Sequence, residues 1–202
     1  SIDGIICGTT MEQTATKAIE ILDAAERFAR RTGYNGFSFR DVAAEIGIKS
    51  ASVHYHFPTK GDLGAALARR YSDRFFERLG DVNDLAFPSH TLVERFVGLF
   101  RESLVDKDQM CLCGIFGAEI AALPEEVGAE VRFFFENCID WLTAAHARVS
   151  RDLVSQEMPF KEQALTLLAT LEGALILALA LQDAEVFDRI VASAVPGWRA
   201  PL

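Results

Sequence analysis

Residues 38–60 place the strongest constraint on the fold of this 202-residue chain, because they predict two short helices joined by a glycine turn. Ser38 and Asp41 have the spacing of a capping box, which begins a helix. Gly47 follows the apolar end of that helix, where a chain leaving an α-helix commonly needs a positive φ. The segment therefore begins as a short helix followed by a tight turn.

A second helix is predicted directly after the turn. Ser50 is expected to cap this helix, and Pro58 is expected to end it because proline lacks the N–H that the helix needs. Val53 and Phe57, one turn apart, form its inward stripe. Hydroxyl, imidazole and phenol groups are left on the outward face: Ser50, Ser52, His54, Tyr55 and His56. Such a helix-turn-helix can place its second helix in the major groove of DNA.

The same pattern has an alternative interpretation, since short helices with glycine turns also occur in all-α enzymes. A solvent face without a function would favour Glu, Lys and Ala, so the outward residues favour DNA binding. Arg40 and Lys60, each at a helix start, are expected to hold phosphates, while serine hydroxyls lie nearest the base edges. The complete predicted set of DNA-contacting residues is Arg40, Lys49, Ser50, Ser52, His54, Tyr55, His56, Thr59 and Lys60.

Residues 14–71 resemble the DNA-binding domain of the TetR family of bacterial transcriptional regulators. The similarity includes an amphipathic first helix, the Gly33–Phe39 connection and the segment FRDVAAEIGIKSASVHYHFPTKGDL. The family often has Tyr-Tyr or Tyr-Trp before the histidine of its signature, where this chain has His54-Tyr55. The resemblance implies a regulator, more often a repressor than an activator, that binds an operator as a homodimer and responds to a small-molecule inducer.

The distribution of charge agrees with a division into two parts. The chain carries a net charge of −9, which is unusual for a protein that binds phosphates. Residues 11–71 nevertheless hold nine Lys and Arg against seven Asp and Glu, so this part is net +2 and the remainder is −11. A basic part can contact DNA while an acidic part is kept off it.

Apolar periodicity predicts helices almost throughout, so the fold class is all-α: an N-terminal three-helix helix-turn-helix DNA-binding domain and a C-terminal helical ligand-binding and dimerisation domain. Helices are expected at about residues 14–32, 60–79, 91–105, 111–122, 125–150, 161–181 and 184–194, besides the two in the helix-turn-helix. We expect a flexible extension over residues 1–13, in which Met11 is a candidate natural start, then domains at 14–79 and 80–202.

Residues 164–181 are apolar on every side and approach the length of a membrane span. Glu172 and Gly173 lie at the centre and no basic flank sets an orientation in a membrane, so burial by protein is the favoured interpretation and no membrane partner is expected. One side of this helix would pack on its own subunit and the other on a second copy. The TetR resemblance implies the same arrangement for the last two helices, with an interface of Leu168, Leu171, Leu175, Leu179, Phe187 and Ile190.

The C-terminal half contains many large apolar residues that suit either a core or a ligand cavity. The run Phe133–Phe135 turns through about 300° of helix, so its three rings cannot all face one core. By resemblance to TetR regulators, an apolar or aromatic inducer would bind here, with Glu172, Asn137 and Arg132 as polar anchors. The predicted ligand-binding set is Phe96, Phe100, Cys113, Phe116, Phe134, Asn137, Trp141 and Glu172.

Cysteines suggest a second way of sensing. Cys111 and Cys113 stand at the start of a predicted helix, where the helix dipole favours a reactive thiolate, so a thiol-based redox or electrophile sensor is an alternative to a ligand-responsive repressor. Burial as small core residues is the other interpretation of these thiols and of Cys138. A metal site would need partners such as His90 or His146, and no spacing ties them together, so no metal is expected.

The sequence contains no GxGxxG, P-loop, HExxH or GxSxG motif, so neither an enzyme nor a cofactor is predicted. A helical enzyme with scattered catalytic residues, or a scaffold without DNA binding, remains a remote alternative. Four cysteines without a disulfide framework and a start without a signal-peptide pattern predict a cytoplasmic protein.

Overall fold

The computed structural model describes residues 3–105, 109–150 and 159–195, and these form α-helices joined by loops and two short 3₁₀ turns. The predicted all-α fold class is confirmed. The helices are α1 (Asp3–Thr32), α2 (Phe39–Glu45), α3 (Ser50–His56), α4 (Lys60–Leu79), α5 (Leu92–Val105), α6 (Leu112–Ala118), α7 (Glu125–Ser150), α8 (Phe160–Leu181) and α9 (Glu185–Ala194). We call α1–α4 the head and α5–α9 the body.

Helix α1 begins earlier than the sequence predicts. It starts at Asp3, whereas we expect a flexible extension over residues 1–13 and a helix start near Thr14. No proline lies between these positions, so nothing interrupts a helix that propagates from the amphipathic part toward the N-terminus. Ser1 and Ile2, the first residues of the expected extension, lie outside the described residues.

Local signals fix the helix-turn-helix as predicted. The backbone N–H of Ser38 donates to the Asp41 carboxylate at 2.7 Å, while Ser38 Oγ accepts from the Asp41 N–H at 3.4 Å, so α2 begins with a full capping box. Gly47 has φ +67°, as a chain leaving α2 requires. The N-cap of α3 is Lys49 rather than Ser50, and no side chain caps this helix. Ser50 is therefore the first helical residue.

Helix α4 connects the head to the body, since it packs against α1 of the head and also against α7 of the body. A second capping box starts it, with the Asp62 N–H donating to Thr59 Oγ1 at 3.0 Å. At Gly64 the backbone comes so close to its neighbours that an added Cβ would lie 2.7 Å from the Tyr34 ring and 2.9 Å from Val127. Glycine at this position thus sets the distance between head and body.

Two further contacts join the head to the body. The Glu119 carboxylate, just after α6, accepts from the backbone N–H of Asn35 at 3.3 Å and from its side-chain amide at 3.2 Å. Tyr34 meets Phe116 of α6 edge to face, with ring centroids 5.7 Å apart. The connection between α1 and α2 is therefore held by α6 as well as by α4.

Helix α8 is the long apolar helix of the body. Its length and apolar composition are sufficient for a membrane span. However, 39% of its apolar 18-residue stretch is buried inside the protein, where α8 packs on α5, α7 and α9. The buried part of α8 is therefore packed in the core of the body. The exposed side of α8 is also apolar and includes Leu165, Ile176, Leu177 and Leu181, which are 44–63% exposed.

The predicted dimer residues differ from this exposed set. Leu168, Leu171, Leu175 and Phe187 are 0–6% exposed within one protomer, so they are core residues rather than interface residues. Leu179 and Ile190 are half-buried against the same core. A helix that is apolar on every side has no periodicity to tell its two faces apart, so the sequence did not separate these four core residues from the exposed ones.

Substitution of Gly64 tests the close approach of α4 to α7. Gly64→Ala should lower the free energy of unfolding by about 1–2 kcal/mol, because overpacking outweighs the higher helix propensity of alanine. The matched control is Gly98→Ala in α5, where an added Cβ meets nothing within 4 Å, and which should raise stability by about 0.5–1 kcal/mol. Urea unfolding measures both; a Gly64→Ala protein stabilised like Gly98→Ala would contradict the packing described.

Candidate nucleic-acid interface and body core

The outward face of α3 is the most exposed functional surface of the head. Tyr55 is 77% exposed, and Val53 on the opposite side of the same helix is fully buried. Ser50, Ser52 and His56 are half-exposed. A seven-residue helix anchored by one side thus presents the Ser52 hydroxyl, the Tyr55 phenol and the His56 imidazole together, while Ser50 lies at its start on another side.

His54 has a different environment from the rest of this face. Its ring packs edge-on against Phe39 with centroids 4.5 Å apart, and its Nδ1 lies 3.4 Å from the carbonyl oxygen of Pro58. These contacts join α3 to the start of α2 and to the turn before α4. His54 therefore holds helices in place here, although part of its side chain remains exposed.

Lys60 does not extend outward as a phosphate contact would require. Its ammonium donates to the carbonyl oxygen of Phe37 at 2.6 Å and lies 4.7 Å from the ring centroids of both Tyr34 and Phe37. Burial lowers the pKa of Lys60 below its ordinary value. In this structure Lys60 fastens the connection between α1 and α2, a long-range contact that the sequence does not reveal.

Arg40 and Lys49 are the lysine and arginine residues of the predicted set whose charged groups remain free for phosphates. Both are exposed, and neither forms an ion pair within residues 14–105, 109–149 and 159–195. Other arginines of the head are engaged: Arg27 pairs with Glu45 at 3.2 Å, Arg70 with Asp23 at 2.6 Å and Arg69 with Glu130. Thr59 is exposed but its hydroxyl is used in the capping box of α4.

Lys17 of α1 is a residue that the prediction missed. It lines a shallow groove together with Ile48, Lys49, Ala51, Ser52, Tyr55 and His56. Its ammonium pairs with Glu20 at 2.6 Å, one turn along the same helix. Lys17 lies one turn before the buried Ile21, on the inward side of α1. This position in the sequence could have indicated that Lys17 approaches α3.

The aromatic residues predicted to line a ligand cavity pack against one another instead. Phe96, Phe100 and Phe134 are 0–2% exposed, and each has its ring centroid 5.3–6.0 Å from that of Phe75. Phe116 and Cys113 are fully buried as well. These residues belong to the buried core, and the predicted ligand-binding role of this set stays a prediction. The Phe133–Phe135 run divides as expected, since Phe134 is buried and Phe133 is 56% exposed.

The predicted polar anchors do not converge on this core. The Asn137 amide donates to the carbonyl oxygen of Phe133 at 2.7 Å, on the surface of α7. Arg132 is exposed and pairs with Glu125 at 2.5 Å. Trp141 Nε1 donates to the carbonyl oxygen of Gly80 at 2.9 Å, which closes the end of α4. Asn137 and Trp141 thus have structural contacts that explain them.

Glu172 and three cysteines form a buried polar cluster at the centre of the body. The two carboxyl oxygens of Glu172 are buried, with no hydrogen-bond donor in the described residues other than the neighbouring Cys111 thiol. They lie against Gly114, where an added Cβ would be 2.2 Å from Glu172 Oε2. Burial raises the pKa of Glu172 to about 7, so it is about half protonated at neutral pH and largely a neutral acid below it.

The thiols are not the reactive thiolates that a sensor needs. Burial raises the pKa of Cys111, Cys113 and Cys138 well above the ordinary value. Cys111 Sγ accepts from the Gly114 N–H at 3.4 Å at the start of α6, so the expected helix-start position is correct. Desolvation nevertheless outweighs the helix dipole, because all three thiols are at most 1% exposed.

The chain is similar to known proteins in both sequence and structure. A family model described as "Bacterial regulatory proteins, tetR family" matches residues 21–67, the segment from α1 into α4 that contains α3. A curated relative, the HTH-type transcriptional repressor KstR2 of Mycobacterium tuberculosis, is 35% identical over 92 residues, covering 45% of this chain and 44% of that protein. The match therefore spans less than half the length of this relative.

Two solved structures match over nearly the whole chain. A TetR-family transcriptional regulator from Agrobacterium tumefaciens is 30% identical with a TM-score of 0.85, covering 93% of this chain and 100% of that one. A TetR transcriptional regulator from Legionella pneumophila is also 30% identical, with a TM-score of 0.77, covering 87% and 93%. The likeness thus extends through the body as well as the head.

The buried Glu172 predicts a specific pH dependence of stability. Its pKa is about 7 in the folded protein against an ordinary value of 4.5. The unfolded chain therefore loses this proton first, and stability falls as pH rises from about 4.5 to about 7, by at most about 3 kcal/mol. Glu172→Gln should remove this loss, raising the free energy of unfolding at pH 8 but not at pH 4.5.

Urea unfolding at the two pH values measures this effect. Glu162→Gln is the matched control, because Glu162 is exposed in the first turn of the same helix and its substitution should change stability equally little at both. Equal effects of Glu172→Gln at pH 4.5 and pH 8 would contradict the buried acid.

Proposed function

Because the chain belongs to the TetR family of bacterial transcriptional regulators, we propose that it is a homodimeric DNA-binding repressor that a small molecule releases from a near-palindromic operator. The observation that carries the proposal is the exposed outer face of α3, with Tyr55 at 77% exposure beside Ser52 and His56. The relatives are regulators rather than enzymes, and the body provides a helical core instead of a catalytic site.

Helix α3 enters the major groove in this proposal. Ser50, Ser52 and Lys49 face the base edges, and Arg40 with Tyr55 contacts phosphates. Lys17 adds a cation to the shallow groove on the protein surface that also contains Ser52 and Tyr55. His54 and Lys60 contribute by holding the helix-turn-helix together, since their polar atoms contact Pro58 and Phe37.

The division of charge supports the same orientation on DNA. We propose a DNA-binding domain at residues 14–79 and a ligand-binding and dimerisation domain at residues 80–202. The segment 11–71 is net +2 while the rest is −11, so electrostatic repulsion keeps the body away from the phosphates. A repressor of this type acts in the cytoplasm, where bacterial DNA lies.

The exposed side of α8 is the surface that a second copy would cover. Leu165, Ile176, Leu177 and Leu181 lie exposed along one side of this helix, and soluble proteins seldom leave so much contiguous apolar surface uncovered. Gly173 lies among them, and an added Cβ there would meet nothing within 4 Å, so two backbones could approach closely. Dimerisation would place two α3 helices about 34–36 Å apart.

Release from DNA requires that the body move the head, and α4 is the element able to transmit that motion. It contains 20 residues, a length of about 30 Å, and it packs on α7 while carrying the helix-turn-helix at its start. The effector is a small molecule with an apolar or aromatic part. A thiol-based sensor is the less favoured alternative, because burial raises the pKa of the three described thiols.

Two substitutions separate phosphate contact from base reading. Arg40→Gln should weaken binding to operator and random DNA alike and reduce the slope of log K against log salt by about 1. Ser52→Ala should change sequence preference and leave the salt slope unchanged. Fluorescence anisotropy over a salt series measures both; Lys161→Gln, exposed at the start of α8, is the control. A wild-type slope for Arg40→Gln would contradict the assignment.

A charge on the exposed side of α8 tests the dimer surface. Ile176→Glu should weaken dimerisation at least about hundredfold, because an unpaired carboxylate would be buried between the copies. Ile176 is 54% exposed, so the protomer should keep its helical circular dichroism. Phe133→Glu is the control, since Phe133 is 56% exposed on α7. Sedimentation velocity measures the mass; an Ile176→Glu protein that remains dimeric would exclude this face.

A further inference from the structure

A cavity of about 180 Å³ opens between α1, α4 and α5, where the head meets the body. It does not coincide with the aromatic core predicted to bind ligand. For scale, a buried cavity of about 150 Å³ accommodates benzene. The cavity therefore suits a molecule of one ring or a short chain.

The deepest polar group of this cavity is the guanidinium of Arg30, which is 4% exposed. Its Nε donates to the carbonyl oxygen of Met110 at 2.7 Å, and its Nη1 lies 3.7 Å from Glu26 Oε1. Its Nη2 is buried and has no acceptor in the described residues. A buried charged donor without an acceptor costs free energy. Because Nη2 itself is closed to solvent, an anionic ligand in the cavity would recover this free energy only once the guanidinium turned toward it.

The charges around the cavity leave a surplus of one positive charge. Arg74 pairs with Glu26 and Arg78 pairs with Glu102 at the rim, which leaves Arg30 sharing the carboxylate of Glu26. A monoanion would balance this surplus. A dianion such as a phosphate monoester would exceed it.

Besides the charged groups and Ser103, whose hydroxyl donates to the carbonyl oxygen of Leu99, the wall is apolar and aromatic. Phe75 and Leu99 line the cavity, and Tyr71 lies beneath the Arg30 guanidinium, 5.5 Å from ring centroid to Cζ. Burial raises the pKa of Tyr71 well above its ordinary value, so the wall stays uncharged. Such a wall would cover the apolar part of a ligand whose charged end meets Arg30.

We propose that this cavity binds a small monocarboxylate with an apolar or aromatic body, whose carboxylate accepts from Arg30. The site lies where α1 of the head meets the body, and Arg30 ties α1 to the segment before α6 through Met110. A ligand carboxylate that accepts a hydrogen bond from Arg30 would alter this connection between α1 and the segment before α6. The ligand's effect on DNA rests on the proposed function, whereas its binding does not.

Isothermal titration of the full chain with benzoate and hexanoate, each against its neutral amide, tests the site. At least one carboxylate should bind once per protomer, and benzamide or hexanamide should bind at least tenfold more weakly. Arg30→Gln should weaken carboxylate binding by roughly tenfold to hundredfold. Arg31→Gln is the matched control, because Arg31 is the next residue on α1, exposed and outside the cavity lining, and it should bind as the wild type does.

Leu99→Trp keeps the test decisive if Arg30→Gln does not fold. It fills the cavity while leaving Arg30 intact, so it should abolish binding. The proposal is overturned if neither carboxylate binds, if an amide binds as well as its acid, or if Leu99→Trp leaves binding unchanged. Carboxylate binding that leaves operator affinity unchanged would retain the site and overturn its role as the inducer site.

Discussion

The shared packing of α4 is the constraint on which the rest of the structure depends. One side of this helix carries the head through α1, and the other side lies so close to α7 that Gly64 has no room for a side chain. Because α4 begins at a capping box directly after α3, any change in its direction is also a change in the direction of the recognition helix. Head and body cannot move independently without disturbing this contact.

Buried charges add to the packing at the same junction. Arg30, Glu26 and Arg74 form a network between α1 and α4, and Arg30 extends it to Met110 before α6. Such groups are costly to bury unless each is paired, so their arrangement fixes the helices in one relative position. The network is incomplete at Arg30 Nη2, so an added acceptor at this junction would change its balance of charge.

Local signals in the sequence predicted most of the helix-turn-helix, since both capping boxes and the positive φ of Gly47 depend on residues a few positions apart. Contacts between distant residues were not predictable in this way. Arg30 meets Met110 across 80 positions, and Lys60 meets Phe37 across 23. Helix α8 shows a further limit, because an apolar residue at every position leaves no pattern to separate core from surface.

Dimerisation and the carboxylate site are connected by the energy that release from DNA requires. Shifting a two-state equilibrium from about 1:99 to 99:1 needs a differential affinity of about 10⁴-fold. One charge-assisted contact to a buried guanidinium supplies about tenfold to hundredfold. A single site is therefore too weak, whereas two sites acting on one symmetric dimer would multiply to about 10²–10⁴-fold and would meet the requirement only at the upper end of that range. Under our proposals, a ligand of this size would act as an inducer only with both protomers occupied and with its contact to Arg30 made in the released state alone.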